Sequence, residues 1–183
     1  KSYKFNNIIT SNISIYNSLI KKNYYPKYNI NIGVSDIFFK LNLTNNKKIF
    51  DIIYFYRSEV FKGSDRFHDF IDRNQNLSYC VVTQDKKIKD RLKQDYKFLN
   101  IFSPKNDVEL IELIDQSRIL IYTSYYDGLG LPILECMARK VPFLSYKYQG
   151  LEYIYKNNSY QIVRSTNEIS TKVKELLENK TLY

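Results

Sequence analysis

The chain has 183 residues, 44% of them hydrophobic, enough to bury the core of one ordinary domain and too many for global disorder. No apolar run approaches the roughly 18–20 residues of a membrane span, and the first ten residues lack a signal peptide's apolar middle and cleavage site. The net charge of +9 sits entirely in residues 1–100, which carry 18 Lys/Arg against 9 Asp/Glu; residues 101–183 carry 10 of each.

In chain order, NNIIT (6–10) predicts a strand and SNISIYNSLIKK (11–22) a helix capped by Ser11 or Asn12. YNINIG (28–33) predicts a second short strand closed by Gly33, and LTNNKK (43–48) is a polar break fit for a linker. IFDIIYFYR (49–57) is rich in Ile, Phe and Tyr and predicts a strong strand. SDRFHDFIDRN (64–74) places Phe67, Phe70 and Ile71 at helical spacing, with Ser64 as the expected cap. Strands are then predicted at 77–83, 98–102, 118–123 and 141–146, and helices at 86–95, 106–117, 131–138 and 168–180. Strands alternating with helices imply βαβ units, hence an α/β fold with a Rossmann-like parallel sheet and helices on both faces. In such folds ligands bind at the carboxyl ends of the strands.

Cys80 and Cys136 lie in apolar settings and are expected as buried thiols, which points to a reducing compartment. His68 is the single histidine, so a zinc site is not expected; flanked by Phe67, it is expected as a partly exposed helix residue rather than a base. The chain opens without a methionine and is expected to be a piece of something longer.

SYYDGLGLPILECMARKVP (124–142) holds two of the chain's five glycines and two of its four prolines, between a predicted strand and a predicted helix. Gly128 and Gly130 let a ligand approach the main chain. Pro132 suits a helix's first turn, where its missing N–H is no loss. The amides of Leu129, Gly130 and Leu131 are then expected at a helix N-terminus, a site for an anion. Asp127 on the loop and Glu135 on the helix are acceptors suited to sugar hydroxyls. An acid near a helix N-terminus is also favourable with no ligand at all.

The same stretch resembles the signature of the GT-B glycosyltransferases of family 4. There an acid–Gly–Phe–Gly–Leu–Pro loop leads into a Leu–Glu–Ala–Met–Ala helix, with two acids separated by seven residues. YNINIGVSDIFF (28–39) resembles the family's interdomain segment, and IIYFYRSEVFKGSDRF (52–67) its Gly–Arg followed by Lys–Gly, which gives Arg57, Lys62 and Gly63. YKYQGLEYI (146–154) resembles a later Gly-x-x-Glu segment, giving Gly150 and, one place short, Glu152. The resemblance spans about residues 8–178.

It implies that residues 43–183 are the C-terminal, nucleotide-sugar-binding domain of a retaining transferase, and that residues 1–42 are the tail of an acceptor-type domain or an N-terminal extension. Arg57 and Lys62 would bind the donor's diphosphate in place of a metal ion, Asp127 would contact the sugar, and Glu135 would hold the ribose hydroxyls. Gly128, Leu129, Gly130 and Leu131 would meet sugar and phosphate. No cofactor or metal is expected. Departures are Tyr56 for a glycine, which crowds the phosphate, Asp127 for a longer glutamate, Leu129 for a phenylalanine, and Lys140 for a glycine. The expected partner is a nucleotide sugar, and the acceptor stays open among glycan, lipid and protein. The expected place is the cytoplasm, with an anionic membrane surface as a candidate partner for the basic half. The alternative is a catalytically silent nucleotide-sugar-binding or scaffolding module. Nucleic-acid binding is not expected, because the aromatics of 49–57 are better explained by burial in a sheet.

Overall fold

The computed structural model describes residues 8–11, 13–30, 33–40, 47–148, 151 and 161–179. Near the N-terminus, β1 (Ile9–Thr10) and β2 (Tyr28–Asn29) form a two-stranded parallel sheet joined through α1 (Ile13–Lys21). A short helix, α2 (Ile37–Lys40), follows and buries Phe38.

The main sheet has six parallel strands: β3 (Phe50–Phe55), β4 (Tyr79–Val82), β5 (Leu99–Phe102), β6 (Ser117–Tyr122), β7 (Phe143–Tyr146) and β8 (Ile162–Val163). Their order across the sheet is β5-β4-β3-β6-β7-β8. The helices that accompany them are α3 (Ser64–Arg73), α4 (Lys86–Asp95), α5 (Asp107–Asp115), α6 (Leu131–Ala138) and α7 (Thr166–Glu178).

Side chains of a strand alternate between faces, and β3 divides its own accordingly. Ile52 and Tyr54 pack with α3, α4 and α7 through Phe67, Leu92 and Ile169, whereas Ile53 packs with α2, α5 and α6 through Phe38, Ile114 and Ile133; Phe50, the strand's first residue, departs from the alternation and joins the second cluster. Burial on both faces explains why these strands read as nearly continuous apolar runs. Both thiols are buried, Cys80 in β4 and Cys136 in α6, within the same core.

The boundaries differ from expectation in a few places. Ser64 is the first residue of α3 rather than its cap; Gly63 takes the cap position at φ +73° and offers no side chain. Of the caps considered for α1, Asn12 lies outside the described residues, as does most of the polar break at 43–48. α5 is capped by Asn106, whose side chain accepts from the Glu109 amide. α2, β8 and a 3-10 turn at Val60–Lys62 were not expected from the sequence.

The order places β3 beside both β4 and β6, so the chain leaves the sheet in opposite directions from β3 and β6. A crevice opens outside the carboxyl ends of strands at such a switch point. Residues 56–63 and 123–130 are the loops that line it.

Candidate functional site

The loop after β3 is built to lie against the loop after β6. Gly63 sits so close that a Cβ there would come within 2.0 Å of the Thr123 carbonyl oxygen. Thr123 Oγ1 donates to the Lys62 carbonyl at 3.2 Å and shares a 2.8 Å hydrogen bond with the Tyr54 hydroxyl. The amides of Tyr125 and Tyr126 both donate to the Phe61 carbonyl, at 2.9 and 3.3 Å. These contacts fix the 3-10 turn and carry Lys62 over the end of β6.

Two adjoining cavities result. The first, of about 300 Å³, is bordered by Lys62, Tyr122, Asp127, Gly128, Leu129 and Gly130. The second, of about 470 Å³, is bordered by Tyr56, Thr83, Gln84, Asp85, Pro104 and Glu135. Phe55, Arg57, Leu131 and Pro132 border both. All eight residues expected at the site therefore come together, and the junction holds the exposed Arg57, which makes no ion pair among the described residues.

Lys62 and Asp127, expected to serve diphosphate and sugar separately, hold each other: Lys62 Nζ lies 2.6 Å from Asp127 Oδ2. The Tyr122 hydroxyl donates to the same oxygen, and the Gly130 amide donates to Oδ1 at 3.3 Å. Burial pushes the Asp127 carboxyl up, but the bonds from Lys62, Tyr122 and Gly130 outweigh it and hold the group below the usual carboxylate range. The loop thus uses one of its three N-terminal amides internally. The amides of Leu129 and Leu131 meet no acceptor among the described residues.

Glu135 has the opposite environment. It is half-buried on α6, and among the described residues no donor reaches its carboxylate. Burial, with a smaller contribution from Asp107, raises its carboxyl above the ordinary value. A carboxylate left without donors beside a cavity is in position to accept hydroxyl groups from a ligand.

Two of the expected departures can be placed, and His68 lies on α3, partly exposed as expected. Tyr56 borders the second cavity and not the one that holds Lys62, and its hydroxyl turns to His68 Nε2 at 2.9 Å. His68 is half-buried, and its Nδ1 meets the Tyr96 hydroxyl at 3.0 Å, so the ring joins two tyrosines and borders neither cavity. Burial lowers its pKa. Lys140 adopts φ +60° and completes the glycine-type helix end, with its own amide on the Met137 carbonyl at 2.9 Å and the Val141 amide on that of Cys136 at 2.8 Å.

Gly150 and Glu152 lie outside the described residues. Tyr122 was missed as a site residue because it reads as one more apolar position of β6. Its one visible signal was its place at the strand's last residue, five before an acid. Among the described residues no three potential metal-ligating side chains cluster, and no helix is long and apolar enough to cross a membrane.

A model of the family described as glycosyl transferases group 1 matches residues 35–183. No curated protein sequence matches the chain. Among solved structures the chain is similar to sucrose-phosphate synthase of Thermosynechococcus elongatus, with TM-score 0.76, 15% identity and coverage of 98% of this chain and 51% of that one. It is similar to TarM with TM-score 0.74, 13% identity and coverage of 97% and 38%. It is similar to HepE of Anabaena, solved in complex with UDP and glucose, with TM-score 0.72, 13% identity and coverage of 96% and 54%. At these identities the likeness is one of fold. The chain spans at most 54% of each of the three.

Proposed function

The chain belongs to the glycosyl transferases group 1 family, and on that premise we propose that residues 43–183 form the donor-binding domain of a retaining glycosyltransferase. It moves a hexosyl unit from a nucleotide diphosphate sugar to a hydroxyl acceptor. The observation that carries this reading is the pair of adjoining cavities that share Arg57, one holding Lys62 and Asp127 and the other Glu135. A nucleotide sugar has the matching order of parts: a nucleoside, a diphosphate and a sugar.

The nucleoside lies in the larger cavity, where the Glu135 carboxylate accepts from the ribose hydroxyls. The diphosphate lies at the junction, against Arg57, Lys62 and the amides of Leu129 and Leu131 at the start of α6. The sugar lies in the smaller cavity, which Asp127, Gly128 and Gly130 border. As the bond from the anomeric carbon to the phosphate oxygen breaks, negative charge grows on that oxygen. Two cations beside it then stabilise it more than they stabilise the intact donor. The acceptor hydroxyl bonds to the anomeric carbon on the face the diphosphate leaves and gives its proton to the departing phosphate oxygen, and configuration is retained.

No metal is assigned a role, because the two cations meet the diphosphate's charge directly. Residues 1–42 are read as the tail of an acceptor-type domain. The acceptor is a hydroxyl of a glycan, lipid or protein, and the work is placed in the cytoplasm. Lys62→Ala tests the assignment. It should weaken a nucleoside diphosphate by about tenfold or more and leave the nucleoside nearly unchanged, since a charge-assisted bond contributes roughly 1.5–3 kcal/mol. Equal losses for both ligands would remove Lys62 from the phosphate site.

A further inference from the structure

We propose that Tyr122 is a positioning residue for Asp127, fixing its carboxylate so that it has room for a single sugar hydroxyl. The proposal rests on the donor-site reading above. Tyr122 ends β6, only 7% exposed, and its ring packs against Tyr148 with centroids 5.6 Å apart. It therefore has little freedom to move, and its hydroxyl donates to Asp127 Oδ2. Burial and the neighbouring Asp127 charge push the phenol's pKa up, so it stays a donor at any working pH.

An ionised carboxylate offers about four lone-pair sites. Tyr122 and Lys62 take two on Oδ2, and the Gly130 amide takes one on Oδ1. One site remains, on Oδ1, while Asp127 borders the smaller cavity. The other protein partner of Oδ2 is a lysine, long and flexible, with a side chain 22% exposed. Without the tyrosine Oδ2 would be held by that lysine alone, and the carboxylate could pivot about its remaining bond to the Gly130 amide and vary which hydroxyl it meets. The charged and titratable groups around Asp127 are Lys62 from the 3-10 turn, Arg57 from the loop after β3, Tyr122 from β6 and Tyr148 from beyond β7.

The test uses Tyr122→Phe in the whole chain, with two readouts. The first needs no ligand: the Asp127 carboxyl carbon is followed by NMR against pH. Removing a bond to the ionised form raises a carboxyl's pKa, so the midpoint should move up in the variant. Incorporating 3-fluorotyrosine at Tyr122, which keeps the ring and strengthens the donor, should move it down and serves should Tyr122→Phe fail to fold. The second readout is affinity for UDP-glucose against UDP, and for GDP-mannose against GDP. Tyr122→Phe should weaken the accepted nucleotide sugar by roughly five- to tenfold and the matching nucleoside diphosphate much less. An unchanged midpoint, or equal losses for sugar and diphosphate, overturns the positioning role. A midpoint that shifts in the variant while the wild-type chain binds none of the four probes overturns the donor-site reading and with it the sugar-site role.

Discussion

Replacing Glu135 with glutamine separates a ligand-binding carboxylate from one that merely suits its helix. Glu135 is the fifth residue of α6, half-buried beside the larger cavity, and no donor among the described residues reaches it. Its carboxyl is raised by burial first and by Asp107 second. The sign follows from linkage: a carboxyl whose folded value lies above its unfolded value weakens the fold wherever it is ionised, and the loss is relieved as pH falls through the folded value. At neutral pH the neutral amide should therefore leave the ligand-free melting temperature unchanged or raise it. Affinity should move the other way. An amide accepts at one atom, and bonds to a charged acceptor are about twice as strong as neutral ones. Nucleoside diphosphate binding should then fall by about 1–2 kcal/mol, roughly five- to thirtyfold. If Glu135 only complemented the helix dipole, the variant would instead lose about 0.3–1 kcal/mol of stability and keep its affinity. Thermal melts paired with calorimetric titrations of UDP and GDP measure both. A lowered melting temperature with unchanged affinity would refute the reasoning.

Lys140 holds a left-handed conformation at the end of α6, which an L side chain adopts at a cost. Lys140→Gly should raise stability by about 0.5–1 kcal/mol in urea titration, with an unchanged slope. Arg139 and Asp115 form a buried pair, 1% and 5% exposed, and Arg139 also donates to the Phe38 carbonyl at 3.0 Å, tying α2 to α5 and α6. Asp115→Ala removes the buried carboxylate that faces Arg139 and should cost about 3–5 kcal/mol by the same assay; a loss under 1 kcal/mol would contradict this. The purified chain alone should show little sugar transfer in a radiolabelled-donor assay, because transfer needs an acceptor held against the anomeric carbon and the chain spans at most 54% of the three structures compared with it above.

The main sheet was legible because its strands are buried on both faces. Residues 50–55 and 117–122 are apolar at most positions, and polar helices between them leave little ambiguity of period. β8 was not legible, since two residues carry no period. Nor was α2, a single turn held by its contact with the core through Phe38 rather than by propensity. Residues that border the two cavities were legible where chemistry and backbone demands coincide in one short stretch, as at Asp127, Gly130, Pro132 and Glu135. What escaped was their pairing. Lys62 and Asp127 are 65 positions apart, and only the placement of β3 beside β6 brings them together. The Ser64 assignment failed for a related reason: the helix start is set by the close approach of Gly63 to Thr123, where no side chain fits.

Arg57 and Lys62 are proposed to grip a nucleoside diphosphate without a metal. Calorimetric titration of the wild-type chain with UDP and GDP, in EDTA and again with magnesium, measures this. Saturable binding of at least one of them, with equal affinity in both buffers, is expected. Binding that appears only with magnesium would remove the two cations from the role given to them.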